Sequence, residues 1–472
     1  MRSNTTDKIW KVVNPASGEE VGEVQVTSPE TIDTVLDKAV SAQRRWAEFP
    51  RHRRAEIMNA YVDTVRERAS EFAELLSREQ GKPLSQAQGE VESHCRLFEG
   101  FARRVLAMEE RATFLDIQPG LERDLQITRH EPLGVVVAIV PFNFPVELYA
   151  HKVAPALATG NAVVVKPAED TPLTTLLLVE ALHTAGVPED VVKVVFGGAE
   201  VGNQLVSDDR VAAVSFTGST ETGIKVAQNG ARTLKRTILE VGGNDAMIVL
   251  DDADLDLVVD HAVIGRTFAN GQVCCATKRI LAHGSIHDEL LDRLATRFAA
   301  LNVGDQLADG TEVGPLVNNA AALRIAEQVQ LTTAQGGRVV TGGKQDGAYY
   351  FPTILAGVTA EMNVAQDMEI FGPVASLIRT DSDEEALKVA NSTRYGLSGS
   401  VFTQDMQRAM AFATRLQSGQ VVINNTGLYR PETMHFGNYQ GTGGREGLTS
   451  SLEEFVQTKT ISLPGILPAF QA

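Results

Sequence analysis

The chain has 472 residues, of which 43% are hydrophobic and 22% charged, and a formal net charge of −17 at neutral pH. That length is too great for one compact core and implies two or three domains. The negative balance argues against nucleic acid or an anionic membrane as partner, since both are bound through Lys and Arg.

The start, MRSNTTDKIWK, lacks the apolar stretch of a signal peptide. The apolar runs LGVVVAIVP (133–141) and NAVVVKP (161–167) fall short of the roughly 20 residues that cross a bilayer. Three cysteines without regular spacing make no disulfide framework, so a reducing, cytoplasmic setting is expected. Residues 30–110 are rich in Ala, Glu and Arg at helical spacing, and the run RRAEIMNAYVDTVRERASEFAELLSREQG ends at Gly81 as a helix should. The segment FLDIQPGLERDLQITRHEP (114–132) alternates like a hairpin. From about 133 the texture changes: short β-branched runs (VVVAIVP, AVVVKP, VKVVFG, VAAVSFTG) alternate with helical stretches, and a second such block covers about 246–430. Continuous apolar strands between helices mean an α/β fold with parallel sheets covered on both faces. The tail VQTKTISLPG (456–465) fits neither rhythm. Like the hairpin, it suits a protruding sheet or a subunit contact.

Strands that end in Gly- or Pro-rich loops place ligands at their carboxyl ends. In VSFTGSTETGIKVA (214–227) a strand meets Gly218 and Gly223 before a helix. The spacing resembles a phosphate loop, but Ile224 stands where a Walker motif requires Lys, leaving only the open N–H groups of the helix start for a pyrophosphate. In VVVKPAED (163–170), Lys166 and Glu169 share one loop; a carboxylate there can accept ribose hydroxyls and disfavours a 2′-phosphate, while a plain surface ion pair is the alternative.

The stretch GQVCCATKR (271–279) sets Cys274 beside Cys275. Adjacent cysteines without a neighbouring histidine cluster do not make a zinc site. A buried structural pair is one reading and a thiolate nucleophile the other. The nucleophile needs a base and an oxyanion donor. LEVGGND (239–245) offers Glu240, PFNFP (141–145) offers the Asn143 amide, and EIFGPV (369–374) adds Glu369 beside Phe371. Each fragment alone is compatible with a loop that has no chemistry.

Together, PFNFP, KPAE, FTGST, LEVGGN, GQVCC, EIFGPV, GREG (444–447) and QTKT (457–460) occur in the order found in the NAD(P)-dependent aldehyde dehydrogenase superfamily, which the chain resembles over nearly its whole length. The resemblance implies a Rossmann-type cofactor domain (1–110 and 133–242), a second α/β catalytic domain (243–450) and a small β oligomerisation arm (111–132 and 451–472), hence a homodimer or homotetramer. It makes Cys274 the nucleophile and Cys275 a position that varies. It assigns Glu240 as general base, Asn143 as oxyanion donor, and Lys152 and Glu446 as a proton relay. It assigns Pro141, Phe142, Lys166, Glu169, Phe216, Gly218, Ser219, Gly223, Glu369 and Phe371 to the NAD cofactor, with NADP as the lesser option. No metal is implied. A partly apolar setting is expected for Glu240, because a carboxylate is a poor base near neutral pH unless desolvation raises its pKa. Relatives that pass the acyl group to a thiol lack this glutamate, so the product is expected to be a free acid.

The loop NNTGLYRPETMHFGNYQGTGGREG (424–447) corresponds to the wall of the substrate tunnel, with Arg430, Phe436 and Phe144 facing the aldehyde. It departs from the superfamily's pattern F-G-G-x-K-x-S-G-x-G. Arg430, where an aromatic is usual, suits a small polar or singly anionic aldehyde. An arginine paired to Glu432 or solvent is the alternative. Two further readings of the whole chain are a nucleotide-independent cysteine esterase and a non-catalytic scaffold on the same fold.

Overall fold

A computed structural model describes residues 8–439 and 444–468. After a hairpin of Ile9–Val13 and Glu20–Gln25, the helices Pro29–Glu48, Arg51–Glu67, Ala69–Gln80 and Leu84–Leu106 fill the Ala- and Glu-rich segment. The first is capped by Ser28, whose hydroxyl accepts from the Thr31 N–H at 3.2 Å. The third stops at Gly81, where φ is 93°, a left-handed angle that glycine adopts without steric cost.

The first βα block forms a five-stranded parallel sheet in the order Val192–Val194, Ala162–Lys166, Val135–Ile139, Val211–Thr217, Arg236–Glu240. Its valine runs are apolar throughout because both faces are covered. Val136, Ala138, Val163 and Val165 pack on one core, while Val135, Val137, Ala162 and Val164 meet Ile32, Leu36 and Ala39 of the first helix on the other. The second block forms a seven-stranded sheet in the order Arg338–Thr341, Thr353–Val358, Val374–Thr380, Arg279–His283, Ala246–Val249, Ser398–Phe402, Gln420–Ile423, parallel except at its first edge. The two orphan segments find each other. Val456–Leu463 pairs antiparallel with Leu125–Pro132, which pairs in turn with Arg111–Phe114, so the hairpin and the tail make one three-stranded sheet apart from both larger ones.

The expectation that ligands gather at strand carboxyl ends holds for the first sheet only. Asn143, Lys166, Gly218 and Glu240 all follow or end its strands, whereas Cys274 and Glu369 precede the strands Arg279–His283 and Val374–Thr380. The site therefore lies where the carboxyl edge of one sheet faces the amino edge of the other. Among the described residues no helix is long and apolar enough to cross a membrane.

Candidate active site

One cavity of about 780 Å³ joins most of the expected residues: Lys166 and Glu169 at one end, Phe216, Gly218 and Ser219 in the middle, and Phe142, Asn143, Glu369, Phe371 and Cys274 at the other. Pro141 also lines it. Gly223 does not; a Cβ there would meet Val241 at 2.9 Å, so this glycine lets the helix Thr220–Ala231 pack closely rather than touching a ligand. That helix opens into the cavity at Ser219, whose hydroxyl caps the Thr222 N–H at 3.3 Å. Its free N–H groups form an anion seat. A Cβ on Gly242 would sit 2.2 Å from Glu369 Oε2, so the glycine pair of LEVGGND is what admits this carboxylate. The volume of the cavity, the Glu169 and Glu369 carboxylates on its lining and the helix start at Ser219 fit a dinucleotide.

Two cations the motifs did not single out hold the far end in place. Lys278 donates to the carbonyls of Val273 (3.0 Å) and Cys274 (2.5 Å) and pairs with Glu369 at 3.0 Å. The buried Arg266 donates to the carbonyls of Ile370 and Gly372. Their sequence signal is slight: Lys278 stands out only as a charge at the entrance of an apolar strand. The loop before the thiol is strained, with φ of 48° at Ala269 and 58° at Asn270, and the Asn270 amide donates to the carbonyls of Gly81 (2.9 Å) and Pro315 (2.7 Å).

The cysteine pair divides by geometry. Cys274 is half-buried and lines the cavity, while Cys275 is buried among Ala269, Val273, Ala276, Leu397 and Phe436. The hydrogen bond between the two thiols, reinforced by burial, pushes Cys274 well above the ordinary thiol range against the pull of Lys278 and Arg430. The same bond shifts Cys275 down. Access, not acidity, selects Cys274, because only its sulfur lies on the cavity. The Asn143 amide donates to the Gln272 carbonyl at 2.9 Å, which leaves its second N–H for an oxyanion.

Glu240 is 3% exposed, and neither of its oxygens finds a hydrogen-bond partner among the described residues. Burial, then the nearby Glu446 carboxylate, pushes its pKa well above the usual carboxylate range, with Lys152 and Arg430 acting the other way. Glu240 is thus desolvated as expected, but its surroundings are not apolar, since Glu446, Lys152 and Arg430 all act on it. Behind it Lys152 donates to Thr217 Oγ1 at 2.6 Å and to Glu446 Oε1 at 3.0 Å. Burial opposes ionisation of Glu446, but Lys152, His151 and Arg430 outweigh it and hold that carboxyl at about 2.

Outside the lining of the cavity, Phe144, Phe268, Leu428, Met434 and Phe436 belong with Cys274 to one apolar cluster. Arg430 lies over the Phe436 ring, 3.9 Å from its centroid. The alternative pairing with Glu432 does not occur: Glu432 binds Arg96 at 2.7 Å, whereas Arg430 pairs with Glu446 at 3.0 Å and lies 3.8 Å from Glu147. Two residues sequence reading passed over thus complete the group, Glu147 and His151, the latter 3.3 Å from Arg430. Phe436 and Glu446 are tied by two backbone hydrogen bonds of 2.8 Å. Residues 440–443 of the departing loop lie outside the described residues.

A half-buried thiol opening onto a cavity of dinucleotide size, with a desolvated carboxylate near it, suits an oxidoreductase. The model of the aldehyde dehydrogenase family matches residues 1–461, and the chain belongs to that family. It is an NAD(P)-dependent enzyme that oxidises an aldehyde to the acid. It is 40% identical to a 3,6-anhydro-alpha-L-galactose dehydrogenase of Streptomyces coelicolor, over 95% of this chain and 92% of the relative. It is 36% identical to a glutarate-semialdehyde dehydrogenase of Pseudomonas putida, over 96% and 94%. Among solved structures, a glyceraldehyde-3-phosphate dehydrogenase of Methanocaldococcus jannaschii complexed with NADP superposes with a TM-score of 0.92 at 35% identity, covering 98% of this chain and 100% of that one.

Proposed function

We propose that the substrate is a small, hydroxyl-bearing aldehyde without net charge, oxidised with NAD+ through a thioester on Cys274. The observation that carries the substrate class is the engagement of Arg430: its guanidinium pairs with Glu446 at 3.0 Å and lies 3.8 Å from Glu147, so an acidic substrate would compete with carboxylates already in place. It still offers N–H donors beside the apolar cluster, which suits hydroxyl groups on a compact carbon frame. The likeness to the anhydrogalactose enzyme supports this reading over the acidic semialdehyde of the second relative.

The residues divide the chemistry among them. Lys166 and Glu169 would hold the adenosine ribose, Gly218 and Ser219 the pyrophosphate, and Glu369 the nicotinamide ribose. Glu169 repels a 2′-phosphate, which favours NAD+. The Cys274 thiolate attacks the aldehyde carbon, and the alkoxide meets the free Asn143 N–H and the Cys274 backbone N–H; one such donor contributes about 3–4 kcal/mol. The bound nicotinamide supplies the hydride acceptor. Glu240 then takes a proton from water, the resulting hydroxide attacks the thioester, and the carbon–sulfur bond breaks to give the acid and the thiolate. Lys152 and Glu446 carry the proton away from Glu240. A nucleotide-independent esterase would leave the cavity from Glu169 to Cys274 without a task.

We assign the two sheets to a cofactor domain and a catalytic domain with the boundaries expected above. The three-stranded sheet, with Phe114 on its edge strand and Ile117 in the turn that follows exposed at 58% and 86%, is the subunit contact of a homodimer or homotetramer. An aldehyde panel followed at 340 nm with either nucleotide tests the substrate and cofactor together. The expected order of kcat/KM places hydroxylated neutral aldehydes at least about tenfold above succinate and glutarate semialdehydes, a gap of roughly 1.4 kcal/mol, and NAD+ above NADP+. The reverse order for the aldehydes would overturn the substrate class.

A further inference from the structure

The turn joining Ala69–Gln80 to Leu84–Leu106 is remote in sequence from Asn143 and Cys274, yet it grips both of their loops. Lys82 is 0% exposed, pairs with the buried Glu90 carboxylate, and donates to the Asn143 carbonyl at 2.7 Å. Its ammonium lies 4.1 Å from the centroid of the Phe144 ring. The other Glu90 oxygen accepts from the backbone N–H groups of Val146 (2.9 Å) and Glu147 (3.0 Å), at the open start of the helix Glu147–Ala158 that carries Lys152. On the other side, the Gly81 carbonyl accepts from Asn270 at 2.9 Å and the Gln86 amide oxygen from the Ala269 N–H at 2.7 Å. These are the two left-handed residues that lead to the thiol.

A fully dehydrated ion pair is a weak source of stability, because attraction barely recovers the loss of hydration. What this pair does supply is direction: among the described residues the other hydrogen bonds of its two side chains go to Asn143 and to Val146 and Glu147, where the loop bearing Asn143 enters its helix. We infer that Lys82 and Glu90 are positioning residues that fix the Asn143 amide against the sulfur of Cys274, while the adjoining turn fixes the thiol loop. The inference rests on the proposed role of Asn143 as oxyanion donor. An amide displaced by about 1 Å loses much of its effect on a developing charge.

The test is the double variant Lys82→Met with Glu90→Gln in the full-length enzyme. Methionine is unbranched and one atom shorter than lysine, so it fills most of the same channel without a charge; glutamine keeps the acceptor for Val146 and Glu147, and no buried charge is left alone. The kcat per active site, titrated by alkylation of Cys274, is expected to fall about 10²-fold while KM for NAD+ stays within about twofold. Added to Asn143→Ala, the double change should cost less than about threefold more, because both act on one donor. A kcat per titrated site close to native, or full additivity with Asn143→Ala, overturns the inference. Should the double variant not fold, Glu90→Gln alone goes through the same cycle under the same criteria. If the native enzyme forms no NADH with any aldehyde, it is the functional reading that has failed. The positioning role is then decided by the crystal structure of the variant: an Asn143 amide still 2.9 Å from the Gln272 carbonyl overturns it, and one displaced by about 1 Å supports it.

Discussion

Cys274→Ala abolishes aldehyde-dependent NADH formation, and Cys275→Ala leaves kcat within about threefold of native while lowering Tm slightly, as expected for trimming one buried atom. The two thiols differ by one position and share a hydrogen bond, so acidity alone would not separate them. Only Cys274 opens onto the cavity; Cys275 is 4% exposed and packed behind it. Loss of a covalent nucleophile typically costs about 10⁶-fold, since no neighbouring group can form the acyl intermediate. Mass spectrometry of enzyme quenched during turnover should place the acyl group on the peptide containing Cys274, and Cys275→Ala should keep it there. An adduct on Cys275, or activity surviving in Cys274→Ala, would sink the assignment. The raised pKa of Cys274 adds a pH signature: the thiolate fraction at neutral pH is below that of a free thiol, so alkylation of the enzyme without nucleotide should accelerate into the alkaline range.

Glu240→Gln separates the two halves of the reaction. The first turnover still releases a burst of NADH, because attack and hydride loss do not need this carboxylate, but the steady rate falls by about 10²–10⁴-fold as the thioester waits for water. In the native enzyme burial keeps the Glu240 carboxyl protonated above the usual carboxylate range, and only its ionised form can accept a proton. The steady rate therefore rises with pH through that raised pKa, and the limb disappears in Glu240→Gln. Stability carries the opposite sign. The folded state holds the Glu240 proton more tightly than the unfolded chain, so this residue costs stability as pH climbs above the ordinary carboxylate value, and glutamine should raise Tm at neutral pH. Unchanged steady turnover, or the loss of the burst along with it, would refute the role as base.

The helical block, the two rhythms of strand and helix, and the two orphan segments were legible because local periodicity and turn chemistry carry them; Gly81 ending its helix is such a case. The pairing of the orphan segments was not, since register between residues 125–132 and 456–463 is set by hydrogen bonds across some 330 positions, which no local pattern encodes. The same limit concealed Lys82, Glu90, Lys278 and Arg266. Each is an ordinary charged residue in the sequence, and its purpose is visible only in the carbonyls it reaches.

For Arg430 the sequence named a cation near the substrate but could not say whether it was free. Glu446 lies 16 positions away and Glu147 almost three hundred, and their approach is decided by how the two sheets meet. What the amino-acid string supplied by itself was the candidate set of reactive groups: two adjacent thiols, the Glu240 carboxylate, the Asn143 amide and the loops for a dinucleotide, because each stands in a short motif and the motifs follow one family's order. What the tertiary structure alone decided was which thiol is reachable, which charges are already spent on each other, and what holds the donors still. Those are properties of distance and dehydration, and distance between remote segments exists only once the chain has packed.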